Sequence, residues 1–276
     1  MQDTVRGLQF TVRVRGPRDG APVLLLHGFP QNSGMWDRMA SILHEAGLRT
    51  IAPDQRGYSP GARPAEVAAY RISEGAADAV ALLDAVGVDS AHIVGHDFGA
   101  LVGWRLAAAC PDRVRTFTAL SVPHPAAVVA AARKDPDQQQ RSAYIKLFQE
   151  AGKAETLLLE RGAARLRAMF GNLPPDRVDS YVRPLLEPGA LTAALNWYRA
   201  LGADSPTGPA VRPTTFVWGD RDVAIGPTAA HGCGPWVDAD YEFVPLVGAS
   251  HWLADEVPVE LARVVLARVA VAGAGG

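Results

Sequence analysis

Ala91-His92-Ile93-Val94-Gly95-His96-Asp97-Phe98-Gly99, followed by Ala100 to Ala109, decides how this chain folds. The first four residues read as a buried strand. Ala100 to Ala109 reads as a buried helix, closed by Pro111. Between them, Gly95-His96-Asp97-Phe98-Gly99 has the small-x-nucleophile-x-small pattern of a nucleophile elbow. Its glycines let the backbone turn so sharply that the central side chain stands clear of the sheet. That central residue is Asp97 rather than Ser. A carboxylate in this place attacks saturated carbon rather than a carbonyl, which narrows the reaction class.

Outward from the elbow, short apolar runs alternate with helix-length patterns, the signature of βα units and a mostly parallel sheet. Leu8 to Val14 alternates like an edge hairpin strand. Val23 to Leu26 is a continuous apolar run, as a strand covered on both faces requires. Thr50-Ile51-Ala52, Thr116 to Leu120, Thr214 to Trp218 and Tyr241 to Val244 read as further strands. From about Val122 to Thr207 strand-like runs stop and Ala, Leu, Arg, Glu and Gln dominate. Breaks fall at Pro123, Pro125, Asp135-Pro136, Gly171 to Pro175 and Pro188-Gly189. The expected organisation is therefore a core of residues 1–121 and 208–276 with a helical cap, 122–207, over the strand ends. Ligands in open α/β sheets bind beyond those ends. Arg161, Arg165 and Arg167 read as a solvated helix face, and Ala270 to Gly276 as a frayed tail.

Three residues at predicted strand ends follow in the order Asp97, Asp222, His251. A loop His needs a carboxylate on one ring nitrogen to fix its tautomer and stabilise its charged form. Asp222 is favoured for that task. Asp220, two residues earlier, is the rival, and in such a loop it ties the turn through backbone amides. His27-Gly28-Phe29-Pro30 follows the strand next to the elbow strand. The Phe29 and Phe98 N–H groups are the expected oxyanion hole. His27 reads as a packing residue, and Trp36 either lines the pocket or fills core.

Composition fits an ordinary globular enzyme: 276 residues, 48% hydrophobic, 20% charged and a net charge of −2. That charge gives no electrostatic case for nucleic acid or an acidic membrane surface. Two cysteines, Cys110 and Cys233, provide neither a disulfide framework nor a metal cluster. No signal pattern and no membrane-length apolar run stands out, so a cytoplasmic protein without cofactor is expected. The oligomeric state is open, a homodimer included.

With Asp54-Gln55-Arg56-Gly57-Tyr58-Ser59, Gly219-Asp220-Arg221-Asp222 and Gly248-Ala249-Ser250-His251-Trp252 added, the set resembles the α/β-hydrolase family. More narrowly it resembles the epoxide hydrolase and haloalkane dehalogenase branch. The resemblance spans nearly the whole core. It implies an eight-stranded, mostly parallel sheet flanked by helices, with Asp54 and Arg56 as loop braces. Asn196-Trp197-Tyr198-Arg199 resembles the cap segment that carries one of two ring-opening tyrosines, which puts Tyr198 in that role. The other tyrosine of the branch directly precedes a Phe-Gln pair, where this chain has Leu147 before Phe148-Gln149. Tyr144 lies one helical turn away. Trp36, Tyr144 and Leu147 are therefore the expected substrate-binding residues.

The resemblance implies hydrolysis of a small apolar epoxide to a vicinal diol. Asp97 would form an alkyl ester, and water activated by His251 would release it. The scheme asks for no unusual acidity, since an ordinary Asp is already charged at neutral pH. Haloalkane dehalogenation shares the first step, but its usual Trp after the nucleophile is Phe98 here. Enzymes that dehalogenate fluorinated acids carry arginines where Phe98 and Leu101 stand. An ester hydrolase would place Ser at the elbow. A ligand-binding protein that kept the fold without the chemistry is a further alternative.

Overall fold

The structure is a computed structural model that describes residues 2–273. Its strands are β1 (Gln2–Val5), β2 (Leu8–Arg15), β3 (Pro22–Leu26), β4 (Arg49–Pro53), β5 (Ala91–His96), β6 (Val114–Leu120), β7 (Thr214–Gly219) and β8 (Tyr241–Leu246). They form one sheet in the order β1-β2-β4-β3-β5-β6-β7-β8. The first two pairings, β1 with β2 and β2 with β4, are antiparallel, and the rest are parallel. Every residue of β5 and β7 is buried, the polar His92, His96, Thr214 and Thr215 included, as in strands covered on both faces.

The hairpin corrects one expectation. β2 pairs on both sides, and the edge strand is β1, whose four residues Gln2-Asp3-Thr4-Val5 carry too little apolar pattern to be read as a strand. Arg6 and Gly7 between them both have positive φ, 51° and 78°, as a two-residue primed turn demands.

Helices α1 (Asp37–Glu45), α2 (Ile72–Ala85) and α3 (Phe98–Ala109) link the first strands. Between β6 and β7 come α4 (Pro125–Ala132), α5 (Pro136–Arg141), α6 (Tyr144–Gln149), α7 (Lys153–Ala168), α8 (Pro175–Leu185) and α9 (Ala190–Arg199). No strand occurs in residues 122–207, and each proline- or glycine-containing break precedes or separates these helices. Residues Glu160–Ala163 leave helical geometry, so α7 bends there. Arg161 and Arg165 are exposed, and Arg167 pairs with Asp179. Then follow α10 (Pro227–His231), α11 (Leu253–Glu256) and α12 (Pro258–Gly273). Because α12 runs to Gly273, no fraying begins at Ala270. Residues 274–276 of the expected frayed tail lie outside the described residues.

The chain leaves β3 on one side for β4 and returns on the other for β5. That reversal is a topological switch point, where the carboxyl ends of two neighbouring strands open a crevice. Gly28-Phe29 after β3 and Asp97 after β5 lie there. The inserted helices are fastened over it by buried polar ties. Trp197 Nε1 donates to the Arg56 carbonyl at 2.8 Å. The Asp255 carboxylate accepts from Tyr181 Oη, from Arg177 Nε and from Gln31 Nε2. Arg56 in turn grips Asp78 of α2 at 2.6 and 2.7 Å, and Asp54 accepts from the Ser33 N–H at 2.8 Å.

Candidate active site

Asp97 occupies the turn between β5 and α3 with φ 53° and ψ −118°, a conformation that L residues adopt only under constraint. Two small neighbours make it possible. A Cβ on Gly99 would strike the Leu26 carbonyl of β3, and one on Gly28 would strike the Asp97 carboxylate itself. Strand, turn and helix are thus packed backbone against backbone, and the carboxylate is held at the switch point. The Phe29 N–H donates to Asp97 Oδ1 at 2.8 Å, and the Phe98 N–H also donates to this carboxylate.

His251 lies beyond β8. Its Nδ1 is 2.8 Å from Asp222 Oδ2, and its Nε2 is 3.8 Å from Asp97 Oδ2, too far for a direct hydrogen bond. Asp222 is 1% exposed, and its Oδ1 accepts from the Ala224 and Ile225 N–H groups at 2.7 and 3.0 Å. Asp220 instead accepts from the Gly248 N–H at 2.7 Å and stays out of the site. Hence Asp222, not Asp220, meets the imidazole.

Burial pushes the Asp97 carboxyl above its ordinary value, against the pull of the His251 charge and of the two amides. The expectation of an unremarkable acidity is therefore corrected: a nearly closed site disfavours the ion, and its donors only partly offset that cost. For His251, burial alone would lower the pKa. The carboxylates of Asp222 and Asp97 outweigh it and leave the imidazole raised.

The inserted helices supply the opposite wall. The Tyr198 ring stands edge-on to Phe98 and Phe29, with centroids 4.7 and 5.3 Å apart. Phe148 packs against Phe29, Tyr144 and Tyr198 at 5.5, 5.2 and 5.0 Å. The Tyr144 and Tyr198 hydroxyls hydrogen-bond each other, and the charge of Asp97 acts on both. Burial raises both phenols, Tyr198 most of all, so they remain protonated donors. Gln149 Nε2 donates to the Tyr198 carbonyl at 3.0 Å, which locks α6 to α9. Each residue of Asn196-Trp197-Tyr198-Arg199 has its own attachment: Trp197 to the core, Tyr198 to the aromatic wall, and Arg199 to Glu155 and Asn196.

Phe29, Asp97, Phe98, Tyr144, Tyr198, Asp222 and His251 are thus brought together. Leu147 is half-buried against the same core. Trp36 is 1% exposed among core residues, and its indole N–H has no acceptor. His27 is fully buried, its Nε2 accepting from the Gln55 N–H, as a packing residue would be. The sequence reading missed three contributors. His96 Nε2 and Ser121 Oγ each donate to the His251 carbonyl at 2.9 Å and fix the imidazole from behind. Tyr58 carries a buried hydroxyl without a partner within reach of the Asp97 charge. For His96 the signal was its place at the strand end beside the nucleophile. Tyr58 gave none beyond its motif.

Residues 21–256 match the family model described as the alpha/beta hydrolase fold. Epoxide hydrolase A of Mycobacterium tuberculosis is 33% identical, with 92% of each chain covered. The AB hydrolase superfamily protein YfhM of Bacillus subtilis is 32% identical over 94% of each. Among solved structures, epoxide hydrolase A from Mycobacterium thermoresistibile aligns with a TM-score of 0.86 at 28% identity, over 98% of this chain and 97% of its own. An epoxide hydrolase from Bacillus megaterium gives 0.89 at 26% identity, over 98% and 100%.

Proposed function

Because this chain belongs to the alpha/beta hydrolase fold family, we propose that it is an epoxide hydrolase that turns small apolar epoxides into vicinal diols. One observation carries the reading. A carboxylate sits at the elbow with Oδ1 held by a backbone amide, and two hydrogen-bonded phenols lie within range of its charge. The carboxylate suits attack on saturated carbon. The phenols suit an oxygen leaving group, which needs a proton as the ring opens.

In the proposed reaction Asp97 Oδ2 attacks a ring carbon and the carbon–oxygen bond of the epoxide breaks. The new alkoxide takes the Tyr198 proton, with Tyr144 hydrogen-bonded to the same phenol, and solvent returns the proton later. His251 Nε2 then removes a proton from water, and the hydroxide adds to the Asp97 carboxyl carbon. The oxyanion forms at the Phe29 and Phe98 N–H groups, where the loss of one donor costs about 3–4 kcal/mol of barrier. Collapse expels the diol, which takes its proton from His251, and the carboxylic acid left at Asp97 releases its proton to solvent, matching the one that solvent returns to Tyr198. Loss of the Asp97 charge on alkylation also leaves more of His251 neutral and free to take a proton from water, since one group that raises its pKa has gone.

Residues 122–207 are read as the cap that closes this site over a core of 1–121 and 208–276. A cytoplasmic setting fits the two unpaired cysteines, Cys110 and Cys233. No helix among the described residues is long and apolar enough to cross a membrane.

The test is His251→Gln incubated with styrene oxide. The variant is expected to stop at the ester, visible in the intact mass as a stable adduct that peptide mapping assigns to Asp97. An unmodified protein, or an adduct elsewhere, defeats the proposal.

A further inference from the structure

The loop that carries Asp222 runs from the end of β7 to the start of α10 without helix or strand, and Arg221 and Val223 on either side of the acid are exposed. Within the loop, Asp222 Oδ1 takes the Ala224 and Ile225 N–H groups. The Ile225 carbonyl accepts from Trp218 Nε1 of β7 at 3.1 Å. Three further backbone groups of the loop each meet a side chain of α5. The Gln138 amide accepts from the Gly226 N–H at 2.8 Å and donates to the Ala224 carbonyl at 3.0 Å. Arg141 Nη1 donates to the carbonyl of Asp222 itself.

Both side chains are themselves held. Gln138 is fully buried, and its Nε2 also donates to Ser142 Oγ at 3.0 Å. Arg141 Nε donates to Asp137 Oδ2 at 2.6 Å, one turn earlier on the same helix. Asp135 caps α5 through the Asp137 N–H at 2.9 Å and accepts from the Thr228 hydroxyl of α10. A buried amide is unfavourable without its partners, so Gln138 has one low-energy place, against this loop. Tyr144 follows Arg141 by three residues. One short stretch of chain thus carries a phenol of the helical wall and also grips the loop of the acid.

We propose that Gln138 and Arg141 are positioning residues for ester hydrolysis, holding the Asp222 loop so that its carboxylate stays in line with His251 Nδ1. The inference deepens the epoxide hydrolase reading above and rests on it for the step affected. The margin is narrow. Asp222 Oδ2 lies 2.8 Å from His251 Nδ1, and a loop displaced by about 0.5 Å carries that distance past the range of a good hydrogen bond. With the loop loose, the imidazole is misaligned for the water it activates. Attack by Asp97 on the ring needs neither Asp222 nor His251, and α6 keeps its own tie from Gln149 to the Tyr198 carbonyl. The effect therefore falls on hydrolysis of the ester and spares alkylation.

The first variant is Gln138→Leu, which nearly keeps the shape of the side chain and removes both of its ties to the loop. Ester formation and decay are followed by rapid-quench single turnover with styrene oxide, read as intact mass. Hydrolysis is expected to slow about ten- to a hundredfold, the scale of a misplaced catalytic group, with alkylation within about twofold of the wild type. NMR titration of His251 in the free protein is a readout that a merely structural role would not move. Weakening the Asp222 bond diminishes a contribution that raises the His251 pKa, so the titration should shift to lower pH. Asp97, Glu256 and His96, the other titratable groups that act on His251, are unchanged in the variant. Arg141→Met and Arg141→Lys form a second pair at a partly exposed side chain. Met is expected to slow hydrolysis about fivefold, the scale of one hydrogen bond, and Lys, which keeps a donor for the Asp222 carbonyl, to recover most of the rate. Equal slowing of both steps, slowing of alkylation alone, or unchanged rates with an unmoved His251 titration overturns the proposal. If the wild type forms no ester with styrene oxide, the epoxide hydrolase reading falls. The His251 titration needs no substrate and still decides whether these two side chains hold Asp222 in place.

Discussion

The sheet and the inserted helices each contribute half of the site, and they hold their reacting atoms by different means. On the sheet side, apart from the Asp222–His251 pair, each tie has a backbone group at one end. Two amides and a constrained φ at Asp97 fix the carboxylate, and two further donors fix the His251 carbonyl. On the helical side, side chains hold side chains. Tyr198 is placed by rings, by Phe148 beneath it and by the hydroxyl of Tyr144. Backbone geometry at strand ends tolerates almost no shift in residue position. A packed aromatic wall leaves more room for a shift of one helical turn, and on that ground we propose that Tyr144 serves where the branch this chain resembles has a tyrosine at the position of Leu147.

The strongest test of that contrast is Asp222→Asn. It keeps the shape of the sheet side but removes the charge that supports His251. Hydrolysis of the ester should slow about 10³–10⁴-fold, the scale found when such an acid is replaced. Alkylation, followed by rapid-quench single turnover, should change little. Equal slowing of both steps would show that the two halves do not divide the reaction.

Next comes the helical side. Tyr198→Phe should slow alkylation about a hundredfold, as loss of a general acid does, and leave ester hydrolysis nearly intact. Tyr144→Phe should have a smaller effect on the same step. If position is as adjustable as the packing suggests, adding Leu147→Tyr to Tyr144→Phe should recover most of the lost rate. No recovery would mean that the helical side is as strict as the sheet side.

The pH dependence separates the halves more gently. Asp97 must be ionised to attack, and burial raises its pKa above the ordinary 3.8. Alkylation should therefore fall away as pH drops through a value above that figure. Hydrolysis needs neutral His251, whose pKa in the ester lacks the contribution of the Asp97 charge. Its acid limb should lie below the titration of His251 in the free protein, measured by NMR. The reverse order would break the electrostatic account. Smallest of all, Asp220→Ala should cost about 1 kcal/mol of stability, one hydrogen bond's worth, and leave turnover nearly unchanged. A large loss of turnover would move the acid's role away from Asp222.

What the sequence disclosed follows the same division. Interior strands were legible because burial on both faces leaves apolar runs, unbroken in Val23 to Leu26 of β3 and shorter in Ile93-Val94 of β5 and Phe216 to Trp218 of β7. Asp97, Asp222 and His251 were legible because strand ends expose loop residues in a fixed chain order. β1 was passed over because an edge strand of four residues needs no apolar face. The Tyr144–Tyr198 contact was only half visible, since spacing along α6 says nothing of how α9 lies against it. Tyr58 was quoted within a motif yet unassigned, because a missing partner is a property of three dimensions. The raised pKa of Asp97 was invisible for the same reason: it depends on how completely the inserted helices exclude water.

One detail of the elbow reaches beyond the reaction it serves. Asp97 Oδ1 is pinned by the Phe29 amide, while Oδ2 faces His251. The two atoms of one carboxylate thus have separate histories. In the proposed reaction the pinned atom stays with the protein for its lifetime. Its twin leaves inside every diol and is replaced from solvent. In heavy-oxygen water, repeated turnover should load this side chain with one isotope label and then stop, and the first diol released should carry none.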